Sequence, residues 1–181
     1  RDDIAEIRKV ALRSTLLTRQ LLTFARRQPV EPQAMTPNRN LQNMAGMLDR
    51  LLGDNIRLKL DTSRDVGVVM IDPGQFEQIV LNLCINARDA IEGAGEVRIA
   101  TETVDIDDAN TAQFDGVGPG SYVRLSVADS GRGIPDELQS RIFEPFFSTK
   151  PFGKATGLGL PVVYGIVTQA SGAIRLHSAP G

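Results

Sequence analysis

The chain has 181 residues, 41% of them hydrophobic and 23% charged, with a formal net charge of −2. That length suits one domain with a buried core, alone or with a small appendage, and near-neutral, interspersed charge gives no sign of a basic nucleic-acid surface or an electrostatic membrane anchor. One cysteine, Cys84, excludes an internal disulfide framework, the lone His177 excludes a multi-histidine metal centre, and no apolar run reaches the roughly 18 residues of a membrane span.

The opening stretch "RDDIAEIRKVALRSTLLTRQLLTFARRQ" has no glycine or proline. Ile7, Val10, Leu17, Leu21 and Phe24 follow a 3/4 spacing that Ser14 interrupts, which predicts one long helix over about residues 2–27. Such a narrow stripe is either the seam of a helical hairpin or dimer, or a helix packed on its own domain. "QPVEPQ", residues 28–33, then stops the helix with two prolines and reads as a linker.

Thr36-Pro37 predicts a second helix, with threonine as cap and proline at the first position, ending near Gly53. "NIRLKLDT" alternates as a strand, and "VGVVMI" reads as a short buried one. Asp72-Pro73-Gly74-Gln75 supplies a cap, a first-turn proline and a capping-box glutamine for a helix through Ile91, which "GAGE" terminates. "EVRIATETVDI" and "SYVRLSVADS" are alternating strands around an acidic loop, residues 107–120. A loop-like region from Gly131 to Gly157 precedes a helix over about residues 158–170, and "AIRLHS" is the last expected strand. This order predicts an α/β two-layer sandwich: a mixed, mostly antiparallel sheet with helices on one face, preceded by one long helix.

Three stretches carry chemistry. On the helix "QFEQIVLNLCINARDAI", Gln75, Gln78, Asn82, Asn86 and Asp89 share one face, while Ile79, Val80, Leu83, Cys84, Ala87 and Ala90 are apolar. That polar row is either a solvated face or an asparagine pair offering oxygen to a hard cation such as Mg²⁺. In "VADSGRGIP" a strand ends on Asp129, and Gly131 and Gly133 let a flat ligand approach while the acid, expected to be buried, accepts a hydrogen bond; a plain turn is the alternative. In "GKATGLGLPVVYGIV", Gly153, Gly157 and Gly159 run into a helix N-terminus, either a phosphate-binding end with Lys154 adding charge or a glycine hinge.

Together, in order, these stretches resemble the ATP-binding catalytic domain of bacterial sensor histidine kinases, within the wider gyrase, heat-shock-chaperone and mismatch-repair ATPase superfamily. "NLCINARDA" is similar to the family's N box, "DSGRGIP" to its first glycine box, "IFEPFFSTK" to its F box and "GKATGLGL" to its second glycine box. "LTRQLLTFARRQ" resembles the second helix of the family's dimerisation and phosphotransfer hairpin.

The resemblance implies a Bergerat-type ATP-binding fold of left-handed topology. It assigns residues 1–28 to the hairpin's second helix, 29–34 to a linker and 35–181 to the ATP-binding domain without its last strand. It gives Asn86 the Mg²⁺, Asn82 the γ-phosphate side, and Asp129 the adenine amine. Gly131, Gly133 and Ile134 border the base; Gly157, Leu158, Gly159 and Leu160 present backbone amides to the phosphates. Asp89, Phe146, Lys150, Lys154 and Thr156 complete the implied ATP contacts, and Arg88 joins Asn82 and Asn86 as catalytic. Phe143, Pro145 and Phe146 anchor an implied lid over residues 140–156, mobile without nucleotide.

Departures stand at Asp89, where the family often has lysine, and at Ala155 and Ala173, where it usually has glycine. The phosphoacceptor histidine belongs on a helix ahead of Arg1; His177 does not match it. The implied activity is transfer of the ATP γ-phosphoryl to that missing histidine, in a cytoplasmic domain whose parent protein can be membrane-anchored. The implied partners are ATP, a second copy paired through the hairpin, and a response-regulator receiver domain. The alternative is an ATP-hydrolysing or nucleotide-binding regulatory module without kinase activity.

Overall fold

The computed structural model describes residues 30–109, 111, 116–150 and 155–179. The long helix expected over residues 2–27 lies outside them, as do Gly153 and Lys154. The chain divides into two compact units, Arg1–Glu31 and Pro32–Gly181. The second unit runs β1 (Gln33–Met35), α1 (Pro37–Leu52), β2 (Ile56–Thr62), β3 (Val69–Ile71), α2 (Pro73–Ala90), β4 (Gly95–Ile106), β5 (Gly120–Asp129), α3 (Asp136–Gln139) and α4 (Gly159–Gln169).

The helix boundaries follow local chemistry. Thr36 holds an extended backbone ahead of Pro37, its carbonyl accepting from the N–H groups of Arg39 and Asn40. Gly53, at φ 84°, closes α1 by donating its N–H to the carbonyl of Asp49 at 3.0 Å. Asp72 caps α2, its carboxylate accepting from the Gln75 N–H at 3.1 Å.

β4 is the middle strand of a three-stranded sheet. It runs parallel to β2, from Ile56 opposite Gly95 to Thr62 opposite Thr101, and antiparallel to β5, from Val97 opposite Asp129 to Ile106 opposite Gly120. Alternation turns Val97, Ile99 and Thr101 toward the core. There they join Leu41, Met44, Leu48 and Leu52 of α1, Phe76, Ile79, Val80, Cys84 and Ala87 of α2, and Val163 and Ile166 of α4. Alternating with those core positions on β4 stand Glu96, Arg98 and Glu102, half-buried or exposed; Arg98 pairs with Glu96 and Asp61, and Glu102 with Arg124. Helices therefore cover one face of a mixed sheet, as the element order predicts.

Three local expectations are corrected. Gln33, read as linker, opens β1, which pairs antiparallel with β3. β3 is not buried throughout: it belongs to a separate two-stranded ladder, so Val68 and Met70 are exposed while Ile71 is inward. "AIRLHS" keeps its alternation, with half-buried Ile174 and Leu176 between exposed Arg175 and His177, yet forms no ladder among the described residues. The loop after β5 also contains the short helix α3. Among the described residues no helix is long and apolar enough to cross a membrane.

Candidate functional site

The site is built on α2. Most of its polar row is not a solvated face: Asn82 is 3% exposed, and Gln75, Gln78 and Asn86 are half-buried, while Asp89 at the end of the row is exposed. The cover is α4. Gln75 in the first turn of α2 donates to the side-chain carbonyl of Gln169 at the end of α4, while Gly159 at the start of α4 faces Asn82 and Asn86. The two helices thus run antiparallel, and the N-terminus of α4 meets the asparagine pair. A methyl group at Gly159 would lie 3.5 Å from Nδ2 of Asn86 and 3.9 Å from Oδ1 of Asn82. Nδ2 of Asn86 is buried without a hydrogen-bond partner among the described residues.

The turn after β5 docks on the other end of α2. The carboxylate of Asp129 accepts from the Gly131 N–H at 2.8 Å, and Arg132 donates its N–H to the carbonyl of Ala90 at 3.1 Å. A Cβ at Gly131 would come within 2.8 Å of the backbone of Ala90, so only glycine fits this approach. Gly133 follows at φ 70°. Asp129 is exposed, not buried as expected, because it is the last residue of β5 and its partner across the ladder, Val97, is near the end of β4. Sequence reading missed the support behind this turn. The Ile134 N–H donates to the hydroxyl of Ser178 at 2.9 Å, and Gln139 donates its amide to the carbonyls of Ile134 and Ser178.

The F-box segment meets the second glycine stretch through backbone. The Phe146 N–H donates to the carbonyl of Gly157 at 3.0 Å; both residues have positive φ, 67° and 64°. The Phe146 ring is 72% exposed, so it is held by its main chain and not by packing of its ring. Phe143 is the ring that packs, 5.7 Å from Tyr164 of α4, and Arg141 lies over Phe147. Leu158 is buried and donates its N–H to the Thr156 hydroxyl; Leu160 is half-buried in the first turn of α4.

The end of α2 carries a charged cluster. Arg88 donates to Asp89 through Nε and Nη2 at 3.1 and 2.9 Å, and through Nη1 to the carbonyl of Leu51 at the end of α1. Lys150 reaches the other carboxylate oxygen of Asp89 at 2.7 Å. Burial works to raise the Asp89 pKa, but the hydrogen bonds and charges of Lys150 and Arg88 outweigh it and hold the carboxyl below its ordinary range. Sequence reading placed Asp89, Arg88 and Lys150 at the nucleotide separately; the structure joins them to one another.

A helix N-terminus over an asparagine pair, an acid-glycine turn one helical turn further on at the end of the same helix, and a phenylalanine segment tied to the second glycine run define a nucleotide-binding class of α/β domain. Residues 71–181 match the family described as histidine kinase-, DNA gyrase B-, and HSP90-like ATPase, and the chain belongs to that family. It carries an ATP-binding catalytic domain of the histidine kinase kind.

The chain is 42% identical to the sensor kinase CckA of Brucella abortus, over 99% of this chain and 19% of that protein. It is 34% identical to the two-component sensor PprA of Pseudomonas aeruginosa, over 90% of this chain and 17% of that one. Among solved structures it is similar to full-length ShkA in complex with AMPPNP, with TM-score 0.66 and 25% identity over 93% of this chain and 33% of that one. The chain thus spans about a fifth of the length of these two curated relatives.

Proposed function

We propose that residues 35–181 bind Mg²⁺-ATP where α2, the Asp129–Ile134 turn and the N-terminus of α4 meet, and direct its γ-phosphoryl to a histidine on another segment. His177, the only histidine in the sequence, is exposed beyond α4 and is not that acceptor. Residues 1–28 serve as the second helix of a dimerisation and phosphotransfer hairpin, with 29–32 as linker ahead of β1. A second copy pairs through that hairpin in the cytoplasm, and a response-regulator receiver domain takes the phosphoryl group onward. The names of the relatives, sensor kinase and two-component sensor, support this reading.

The observation that carries it is the buried Nδ2 of Asn86 beneath Gly159, which has no hydrogen-bond partner among the described residues. Leaving a buried amide unsatisfied costs about 1–3 kcal/mol. A phosphate oxygen is the acceptor that this donor, the free N–H groups of α4 and its dipole would share. Oδ1 of Asn86 is the hard oxygen donor that Mg²⁺ takes, and bound Mg²⁺ supplies neutralisation of phosphate charge. Asn82, an amide and not a carboxylate, orients the tail without removing a proton from water, which favours transfer over hydrolysis. Asp129 spends one carboxylate oxygen on Gly131 and leaves the second for the adenine amine. Gly131, Gly133 and Ile134 form the wall beside the base; Gly157, Gly159 and Leu160 supply the amides at the phosphates, and Leu158, its N–H on the Thr156 hydroxyl, holds that turn in place. Phe146 and Thr156 frame the mouth, and Lys154 adds a cation. Catalysis of this kind is mostly positioning, because the acceptor imidazole is itself the nucleophile.

Calorimetric titration with a non-hydrolysable ATP analogue, with and without Mg²⁺, tests the binding half. Mg²⁺-dependent saturation is expected, and no heat at millimolar ligand overturns the reading. For the chemistry, a histidine-bearing hairpin added in trans is expected to become phosphorylated from ATP. Turnover that the hairpin fails to redirect would instead mark an ATP-hydrolysing switch.

A further inference from the structure

Asp89 puts a negative charge where a polyanion is expected. It lies three residues after Asn86 and seven after Asn82, on the same face of α2. The cluster inverts that charge. Two cations, Arg88 and Lys150, converge on the one carboxylate, so the group carries a net positive charge. Each cation has its own origin. Arg88 is fixed from the helix side, bound at once to Asp89 and to the Leu51 carbonyl. Lys150 is the last residue of the F box, 61 residues away in sequence, and its side chain is 25% exposed.

We propose that Asp89 is a positioning residue that draws the ammonium of Lys150 onto the asparagine face of α2, so that this chain takes its phosphate-facing cation from the F-box segment. This rests on the nucleotide reading above and deepens it: Asp89 is not a nucleotide contact but the anchor of one. Arg88 keeps the carboxylate in place, and Lys150 faces the tail of the ligand.

The sign of one substitution separates this from a bystander role. Removing an acid beside a polyanion strengthens binding if the acid acts only through its own charge. Asp89→Asn is expected instead to weaken Mg²⁺-ATP-analogue binding by about fivefold, the scale of a good exposed ion pair. Lys150→Met is expected to weaken it equally, and the double variant no further than either single one, since the two act as a unit. Adenosine, which lacks phosphates, is expected to bind all four forms alike. Asp89→Glu is expected to restore most of the loss, which a general loosening of α2 would not allow.

A second readout needs no nucleotide. Lys150 in the free chain is expected to react faster with an amine-labelling reagent after Asp89→Asn, measured by peptide mass spectrometry. Tighter or unchanged analogue binding by Asp89→Asn, or unchanged Lys150 labelling, overturns the proposal while leaving the nucleotide site standing. A wild-type chain that binds no nucleotide overturns both.

Discussion

Phe146 and Gly157 are joined back to back. The N–H of one donates to the carbonyl of the other at 3.0 Å, and both chains turn through the left-handed region there. A Cβ at Gly157 would lie 2.7 Å from both the Cα and the carbonyl oxygen of Phe146, which are backbone atoms that cannot swing aside. Gly157→Ala therefore meets two penalties, a φ of 64° and a steric overlap, with a combined cost of about 1–3 kcal/mol. Thermal denaturation is expected to show a lowered Tm, and analogue titration a weaker affinity than wild type. A Gly157→Ala chain as stable and as tight-binding as wild type would show that the junction can relax.

The acid-glycine turn gives a second prediction. Asp129→Ala removes both the turn's acceptor for the Gly131 N–H and the proposed adenine partner, and is expected to lower analogue affinity on the order of ten- to hundredfold. Asp129→Asn keeps an oxygen for the turn. Its affinity loss is expected to be greater for adenine than for guanine nucleotides, because an amide can donate to a purine carbonyl. Equal losses for both bases would assign Asp129 to the turn alone.

Much of this architecture was legible because its signals are local. The Asp72 cap, Pro37 and Gly53 fix helix ends within one turn, and the alternation in β4 and β5 states which face is buried. What stayed hidden depends on distant neighbours. Gln33–Met35 becomes a strand only because Val69–Ile71 offers it an edge, and two prolines nearby mask that pattern. "AIRLHS" has a strand's alternation, but pairing needs a partner edge that sequence alone does not declare. At the site, the asparagine spacing was readable, whereas the roof over it was not. Only packing puts Gly159 above Asn86, Ser178 beneath Ile134, and Lys150 on Asp89.

Asn86 sets function against stability. Its Nδ2 is buried without a partner among the described residues, a cost to the free chain that a bound ligand would offset. Asn86→Ala removes that orphan donor and leaves a small void beneath Gly159. The Tm of the free chain is expected to hold or rise, while Mg²⁺ dependence of analogue binding disappears. A free chain that loses stability on this change would mean the amide is satisfied in solution and serves the fold.

Cys84 provides a pH test of the core on which α2 rests. The residue is fully buried, and burial pushes its thiol up to about 11 from 9.0. In the folded chain the thiol stays neutral over a range in which the unfolded chain has already ionised. Its contribution is thus intact below about pH 9 and is lost as the pH rises toward 11. Between those values the unfolded state binds fewer protons, so each pH unit removes at most about 1.4 kcal/mol of stability through this group. Urea denaturation of wild type and Cys84→Ala at a series of pH values isolates the thiol from the lysines and tyrosines that titrate in the same window. The variant is expected to be less stable at pH 7 from lost packing, with the gap narrowing toward pH 11. A constant gap would mean that solvent reaches the thiol in the folded state, and alkylation at pH 8 without denaturant would then be fast instead of slow.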